Sequence, residues 1–163
     1  MILLGLGGNL PSAVGPPDAT IAAAIEALAT EGVQTTKRSR LYRSAPVPVS
    51  DQPWFVNAVI AVTTGLAPRE LIALLHRVEA RFGRERREPN GARTLDLDLL
   101  AYDERTQPGG NGEPILPHPR LAQRAFVLLP LAEVAPDWRH PVIGDTVERL
   151  IAALPPGQIA HPI

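Results

Sequence analysis

The sequence contains no cysteine. Disulfides, thiolate metal sites and cysteine nucleophiles are therefore excluded. Lysine occurs only at Lys37, so nearly all of the 16 basic residues are arginine. No apolar run approaches the roughly 20 residues that span a bilayer. The apolar residues 1–6 are too short for a signal peptide and follow no basic segment. We therefore expect a cytoplasmic protein that does not bind membranes.

The 163 residues, with 45% hydrophobic composition, fit a single domain over 1–163 with a core of its own. The net charge of −1 provides no long-range attraction to nucleic acid, so we expect no nucleic-acid partner. Five arginines nevertheless crowd one short segment: Arg81, Arg84, Arg86, Arg87 and Arg93. Such a run is either a solvated loop or a phosphate-binding segment, because arginine binds phosphate in a bidentate manner.

Apolar periodicity and turn residues predict the order of elements. Strands are expected at 1–7, 33–43, 54–64 and about 94–102, and helices at 18–30 and 66–83. Gly32 and Gly83 suit the helix ends. Three prolines within 45–53 predict a long loop, and further helices are expected at about 123–134 and 145–154. The β-α-β-β-α-β order indicates an α+β fold, a ferredoxin-like sandwich with a helical C-terminal extension.

Two aspartates interrupt the apolar stretch RTLDLDLL at 93–100. Side chains alternate along a strand, so the leucines face the core while Asp96 and Asp98 share the other face, about 6.6 Å apart. Two unpaired anions there would repel each other. Either nearby arginines form salt bridges to them, or a divalent cation joins them. We favour Mg²⁺, which binds carboxylates and leaves room for water and substrate phosphates.

Other common site motifs are absent from the sequence. A dinucleotide fingerprint at Gly5, Gly7 and Gly8 fails because its third glycine would be Leu10, so these glycines predict a tight turn after the first strand. There is no P-loop motif, and no two histidines are spaced for a zinc site. Among the histidines we single out His118, because PHPR lies beside Arg120 and Arg124. Carboxylates for metal together with arginines for phosphate indicate phosphoryl-type transfer.

Four stretches together resemble the 6-hydroxymethyl-7,8-dihydropterin pyrophosphokinase family: GGN at 7–9, LYRSAPVPVSDQPWFVNAV at 41–59, GRERREPNGARTLDLDLL at 83–100 and PHPRLAQRAFVLLPLAEVAPDW at 117–138. The resemblance covers nearly the whole chain and agrees with the predicted element order. It implies transfer of the pyrophosphoryl group of ATP to the hydroxymethyl oxygen of the pterin, with release of AMP, in folate biosynthesis. It also implies ATP as co-substrate and two Mg²⁺ ions beside the triphosphate.

The resemblance assigns three overlapping sets of site residues. The catalytic set is Arg84, Arg93, Asp96 and Asp98, with both aspartates as metal ligands. The ATP-binding set is Glu79, Arg84, Arg93, His118 and Arg124. The pterin-binding set is Ser44, Ala45, Pro46, Val47, Phe55, Asn57 and Phe126, in which the two phenylalanines sandwich the heterocycle and Asn57 hydrogen-bonds to it. Asn9 matches a turn near this pocket. We expect a monomer that binds only small molecules.

Two departures from the family pattern concern single residues. Asn90 stands where the family carries a tryptophan, and Pro119 stands where a tyrosine often follows the histidine. We expect the loops at 44–53 and 83–92 to close over the substrates. Two other functions stay open. A different two-metal D-x-D transferase would form no AMP from dihydropterin, and a non-enzymatic ferredoxin-like module would not bind MgATP.

Overall fold

The computed structural model describes residues 1–84 and 91–163 and has a mixed α/β architecture. Its strands are β1 (Ile2–Gly8), β2 (Gln34–Arg38), β3 (Tyr42–Ser44), β4 (Phe55–Thr63), β5 (Asp96–Tyr102), β6 (Gln107–Gly110), β7 (Glu113–Leu116) and β8 (Ala160–Pro162). Its α-helices are α1 (Pro17–Thr30), α2 (Pro68–Arg81), α3 (Ala125–Val134) and α4 (Val147–Ala152). No helix in the two described ranges has the length and apolar composition needed to cross a membrane.

One antiparallel sheet organises the fold. Its strand order is β5-β1-β4-β3-β8, and β2 also pairs with β4. The strand predicted at 33–43 is therefore two strands, because the chain leaves the ladder at Ser39. There the Ser39 hydroxyl accepts a hydrogen bond from Val59 N at 3.0 Å. Strands β6 and β7 form a separate hairpin.

The sheet is buried on both faces. Helices α1 and α2 cover one face, where Leu95, Leu97 and Leu99 join the core as the alternation predicted. Helix α3 covers the other face, whose core includes Leu100, and α4 packs on α3. The pairing register of β5 with β1 shifts at this point. Ordinary alternation places Leu99 and Leu100 on opposite faces, whereas the bulge leaves Leu100 and Ala101 on the same face and returns Tyr102 to the first core.

The C-terminal third differs from the prediction in detail. The first predicted helix starts later, because Leu121–Gln123 form a 3₁₀ turn before α3. Helix α4 begins after Thr146, whose hydroxyl accepts the backbone N–H of Arg149 at 3.2 Å. The sequence did not predict β6, β7 or β8. Each has three or four residues, too few for a period-two pattern to be recognised.

Candidate active site

The floor of the candidate site is bare backbone on β1, which lies between β5 and β4. Gly5 and Gly7 pair with Asp98 and Asp96 of β5, and Gly7 also pairs with Asn57 of β4. Directly paired residues in an antiparallel sheet project to the same face, so the glycines leave space between the carboxylates and the amide. A Cβ on Gly7 would lie 2.5 Å from Asn57 Oδ1. The predicted tight turn is wrong, because these glycines lie inside a strand and provide room.

Asp96 and Asp98 both face this cleft, with side-chain exposures of 25% and 28%. Asp96 contacts two arginines: Arg84 Nη1 is 2.6 Å from Oδ1, and Arg93 Nη1 is 3.5 Å from Oδ2. Among the described residues, only His118 places a basic nitrogen within 4.0 Å of Asp98. The salt-bridge alternative therefore applies to Asp96 and does not explain Asp98.

Glu79 fixes one of these arginines from inside the protein. It lies on α2, is 2% exposed and accepts a 2.5 Å hydrogen bond from Arg84 Nη1. The same carboxylate oxygen accepts the backbone N–H of Leu97 at 2.8 Å. Glu79 thereby links α2 to the part of β5 that carries the two aspartates. In the structure Glu79 is a buried residue that holds Arg84 and Leu97 in place. The ATP contact assigned to Glu79 stays a prediction.

The Asp98 end of the site has unusual protonation properties. Burial raises the pKa of Asp98 to about 7, and the negative charge of Asp96 adds to the rise. Burial also lowers the pKa of His118 to about 4, and the charge of Arg124 contributes. The Nδ1 of His118 accepts the backbone N–H of Arg120 at 3.1 Å. The neutral ring therefore carries its proton on Nε2, the atom that lies 4.0 Å from Asp98 Oδ1.

An open cavity adjoins the carboxylates. It brings together most of the residues assigned to the pterin and several assigned to phosphate: Gly7, Ser44, Ala45, Val47, Phe55, Asn57, Arg93, Asp96, Arg124 and Phe126. Asn57 Nδ2 donates a 2.6 Å hydrogen bond to Ser44 Oγ, which fixes the amide. The guanidinium carbon of Arg124 lies 5.2 Å from the centroid of the Phe126 ring.

Some assigned residues have a different environment from the one expected. The N–H of Ala45 donates to the carbonyl of Ile159 at 3.0 Å, so this amide is already engaged in strand pairing. Pro46 is buried and is not among the residues that line the cavity. Pro119 is exposed. Arg86, Arg87 and Asn90 lie outside the described residues, as does most of the second loop that was expected to close.

Asn9 has a more extensive role than the predicted turn. Its Nδ2 donates to Gln52 Oε1 and to the carbonyl of Pro53, both at 2.9 Å. Its Oδ1 accepts the backbone N–H of Arg93 at 2.9 Å, and the side chain is buried. Asn9 therefore joins the proline-rich loop at 45–53 to the start of the aspartate-bearing segment. No local pattern could reveal these contacts, because the partners are 43, 44 and 84 residues away.

The family model for 7,8-dihydro-6-hydroxymethylpterin-pyrophosphokinase (HPPK) matches residues 3–136. This chain belongs to the HPPK family. A 2-amino-4-hydroxy-6-hydroxymethyldihydropteridine pyrophosphokinase of Methylorubrum extorquens is 41% identical over 163 residues, covering 96% of this chain and 94% of the relative. A relative of the same name from Pseudomonas aeruginosa is 40% identical, covering 94% of this chain and 91% of its own.

Solved structures support the HPPK fold. The wild-type HPPK-DHPS of Plasmodium falciparum matches with a TM-score of 0.68 and 13% identity over 93% of this chain. At that identity the likeness concerns the fold alone, and this chain spans 44% of the larger protein. All the assigned site residues of this HPPK chain lie inside the matched residues 3–136. Residues 137–163 lie beyond the match, yet part of that segment also contacts the cleft.

Proposed function

We infer that this chain is the folate-biosynthesis enzyme that transfers the pyrophosphoryl group of ATP to 6-hydroxymethyl-7,8-dihydropterin, giving the pterin diphosphate and AMP. One structural observation carries the inference. Two adjoining cavities share Asn57, Asp96 and Phe126; one is also lined by Arg93, Arg124 and Phe55, and the other by Asp98. The aspartates and arginines suit a triphosphate, and the asparagine and phenylalanines suit a flat heterocycle. HPPK relatives that match over nearly their full length bear the name of this activity.

Two Mg²⁺ ions held by Asp96 and Asp98 are part of this proposal. Within residues 1–84 and 91–163, no three His, Cys, Asp or Glu side chains gather as a metal cage. Mg²⁺ needs no such cage, because one or two carboxylates together with phosphates and water suffice. The raised pKa of Asp98 indicates a carboxylate whose charge is incompletely compensated. Bound Mg²⁺ would neutralise charge on the transferred group and lower the pKa of the attacking hydroxyl.

We assign the triphosphate to Arg84, Arg93, Arg124 and the neutral His118. The Nε of Arg84 is buried and has no hydrogen-bond partner among the described residues. A buried donor of this kind is costly unless a ligand satisfies it, and a phosphate oxygen would do so. Arg84 and Arg93 both contact Asp96. A triphosphate bound here would share these two guanidinium groups with Asp96, and Arg124 lines the same cavity as Arg93.

We assign the pterin to the cavity between Phe55 and Phe126. Stacking on both faces would hold the ring, and the Asn57 amide, fixed by Ser44, would bind its polar edge. The hydroxymethyl oxygen then attacks the β-phosphorus. The bond from that phosphorus to the oxygen shared with the α-phosphate breaks, AMP leaves with the electron pair, and the hydroxyl proton is released. The protein's contribution is orientation and charge neutralisation.

Several finer assignments remain part of the proposal. The observed strand order supports a ferredoxin-like sandwich with a helical C-terminal extension, in one domain over 1–163. A monomeric state, a cytoplasmic location and the absence of nucleic-acid and membrane partners stay predictions. Closure of the loop at 44–53 over the substrates also stays a prediction.

Product analysis tests the proposed function. The protein is incubated with ATP, Mg²⁺ and 6-hydroxymethyl-7,8-dihydropterin, and the nucleotides and pterins are separated by chromatography. We expect AMP and the pterin diphosphate in equal amounts, and neither product when the pterin is omitted. Formation of ADP would indicate single-phosphate transfer, and failure to consume ATP would indicate another function. Asp98→Ala is the matched variant and should form no AMP.

A further inference from the structure

Residues 158–163, here called the C-terminal brace, contact both walls of the cleft. On one wall, β8 pairs with β3 so that Ala160 lies opposite Ser44. The carbonyl of Ile159 extends this pairing by accepting the N–H of Ala45 at 3.0 Å. Ser44 and Ala45 both line the cavity. The brace therefore fixes the backbone on the strand side of the proposed pterin pocket.

On the other wall, Gln158 reaches the first turn of α3. Its Oε1 accepts the backbone N–H of Ala125 at 2.8 Å, and its Nε2 donates to the carbonyl of Gln123 at 2.7 Å. The N-cap residue of α3, Arg124, makes no side-chain capping bond. Helix starts leave their first N–H groups without intrahelical partners, and a side-chain oxygen normally satisfies one of them. Gln158 performs that task from 33 residues away.

The capped peptide lies between two site residues. Arg124 immediately precedes Ala125, and Phe126 immediately follows it. Both side chains line the cavity, and they contact each other with 5.2 Å between the guanidinium carbon and the ring centroid. A shift of the Ala125 peptide would move both side chains at once. Two hydrogen bonds to one glutamine hold the backbone on each side of Arg124.

We propose that Gln158 is a positioning residue for substrate binding. By holding the first turn of α3 against the strand wall, it sets the separation between Phe126 and the residues Ser44 and Ala45 opposite. This role rests on the proposed function, because it requires a pterin in the cavity and a triphosphate beside Arg124. If Gln158 only stabilised the fold, its substitution would lower the melting temperature and would leave the KM values unchanged.

Substitution of Gln158 by methionine tests the role. Gln158→Met keeps the length of the side chain and removes both hydrogen bonds. Loss of a helix cap typically changes the equilibrium constant for helix formation by a few-fold to about tenfold. We therefore expect KM for the pterin to rise about three- to tenfold. KM for MgATP should rise as well, while kcat changes less than about twofold. Exchange of the Ala125 amide hydrogen should become faster by a similar factor.

Two further variants make the result specific. Gln158→Glu keeps an acceptor for the Ala125 N–H and loses the donor to Gln123, so its KM values should lie between those of wild type and Gln158→Met. Gln158→Glu also tests the positioning role if Gln158→Met does not fold. Gln34→Met is the control, because Gln34 is exposed and donates only to the carbonyl of Ala29 at 3.2 Å, at the start of β2. This control should keep wild-type KM values.

The outcomes separate this proposal from the proposed function. The positioning role alone is overturned if the wild type is active and both Gln158 substitutions leave the KM values unchanged. It is also overturned if Gln34→Met changes the KM values as much as the Gln158 substitutions do. A wild type that forms no AMP overturns the proposed function and this role with it. Selective increases in KM, graded from glutamate to methionine, together with faster Ala125 exchange, support the role.

Discussion

Replacing Asp98 by asparagine should stabilise the metal-free protein at alkaline pH while abolishing pyrophosphoryl transfer. The pKa of Asp98 rises from its ordinary value of 3.8 to about 7 in the folded protein, first because of burial and then because of Asp96. The folded protein therefore binds this proton more tightly than the unfolded chain. The free energy of unfolding of wild type should fall between about pH 4 and pH 7 and stay low above pH 7.

The size of the effect follows from this shift. A rise of about three pKa units corresponds to at most about 4 kcal/mol. The side chain keeps 28% exposure, so solvent screening and local relaxation reduce this value, and we expect about 1–3 kcal/mol. At about 2–4 °C per kcal/mol for a chain of this size, Asp98→Asn should melt about 2–12 °C higher than wild type near pH 8.5. The gain should shrink steadily as the pH falls towards 4.

Thermal melts over this pH range, with and without Mg²⁺, provide the measurement. Mg²⁺ should raise the melting temperature of wild type near pH 8.5 and have little effect on Asp98→Asn. Asp103→Asn is the control, because Asp103 is 61% exposed and pairs with the amino terminus at 2.8 Å. Its positive φ of 53° also suits asparagine. A stability gain independent of pH, or equal stabilisation of both proteins by Mg²⁺, would refute the reasoning.

Three further substitutions probe the cleft. Phe126→Ala should raise KM for the pterin more than KM for ATP, because it removes one stacking face, and steady-state kinetics with each substrate varied will show this. Gly7→Ala should destabilise the protein by about 1–3 kcal/mol and raise KM for the pterin. The new Cβ would lie 2.5 Å from Asn57 Oδ1 and would displace that amide. Denaturant unfolding measures the first effect. Asn9→Asp keeps the acceptor for Arg93 and loses both donors to the proline-rich loop, so KM for the pterin should again rise more than KM for ATP.

The glycine and asparagine predictions each have a matched control. Gly5→Ala should cost little stability, because its Cβ would meet Leu100 at an ordinary 3.5 Å. Equal losses for the two glycine variants would contradict the steric argument. For Asn9→Asp the control is Asn111→Asp in the exposed hairpin turn. Equal increases in both KM values for Asn9→Asp or Phe126→Ala would show that the affected wall serves both substrates.

Local periodicity predicted the parts of the fold that repeat. The helices that became α1 and α2 and the alternation around Asp96 and Asp98 follow from residues close in sequence. The division of the second strand at Ser39 could not be predicted, because it depends on a hydrogen bond to Val59, twenty residues away. The bulge at Leu100 likewise depends on pairing with β1.

The candidate site shows the same division between local and distant causes. The family resemblance assigned the carboxylates, the arginines and the pterin residues, and the structure brings most of them to one cavity. The buried position of Glu79 and the bonds of Asn9 depend on distant segments. The glycines of β1 predicted a turn because glycine is common in turns. The sequence does not show that the Asn57 side chain on the neighbouring strand needs the space that Gly7 leaves.

Phe126 both lines the cleft and packs against the core beneath α3. The cleft is therefore continuous with the hydrophobic core. A smaller residue here would admit a bulkier heterocycle, but it would also remove apolar contacts that stabilise the sheet. Substrate range and thermal stability are coupled through this one ring, so variants selected for wider substrate acceptance should need compensating substitutions in α3 or α4.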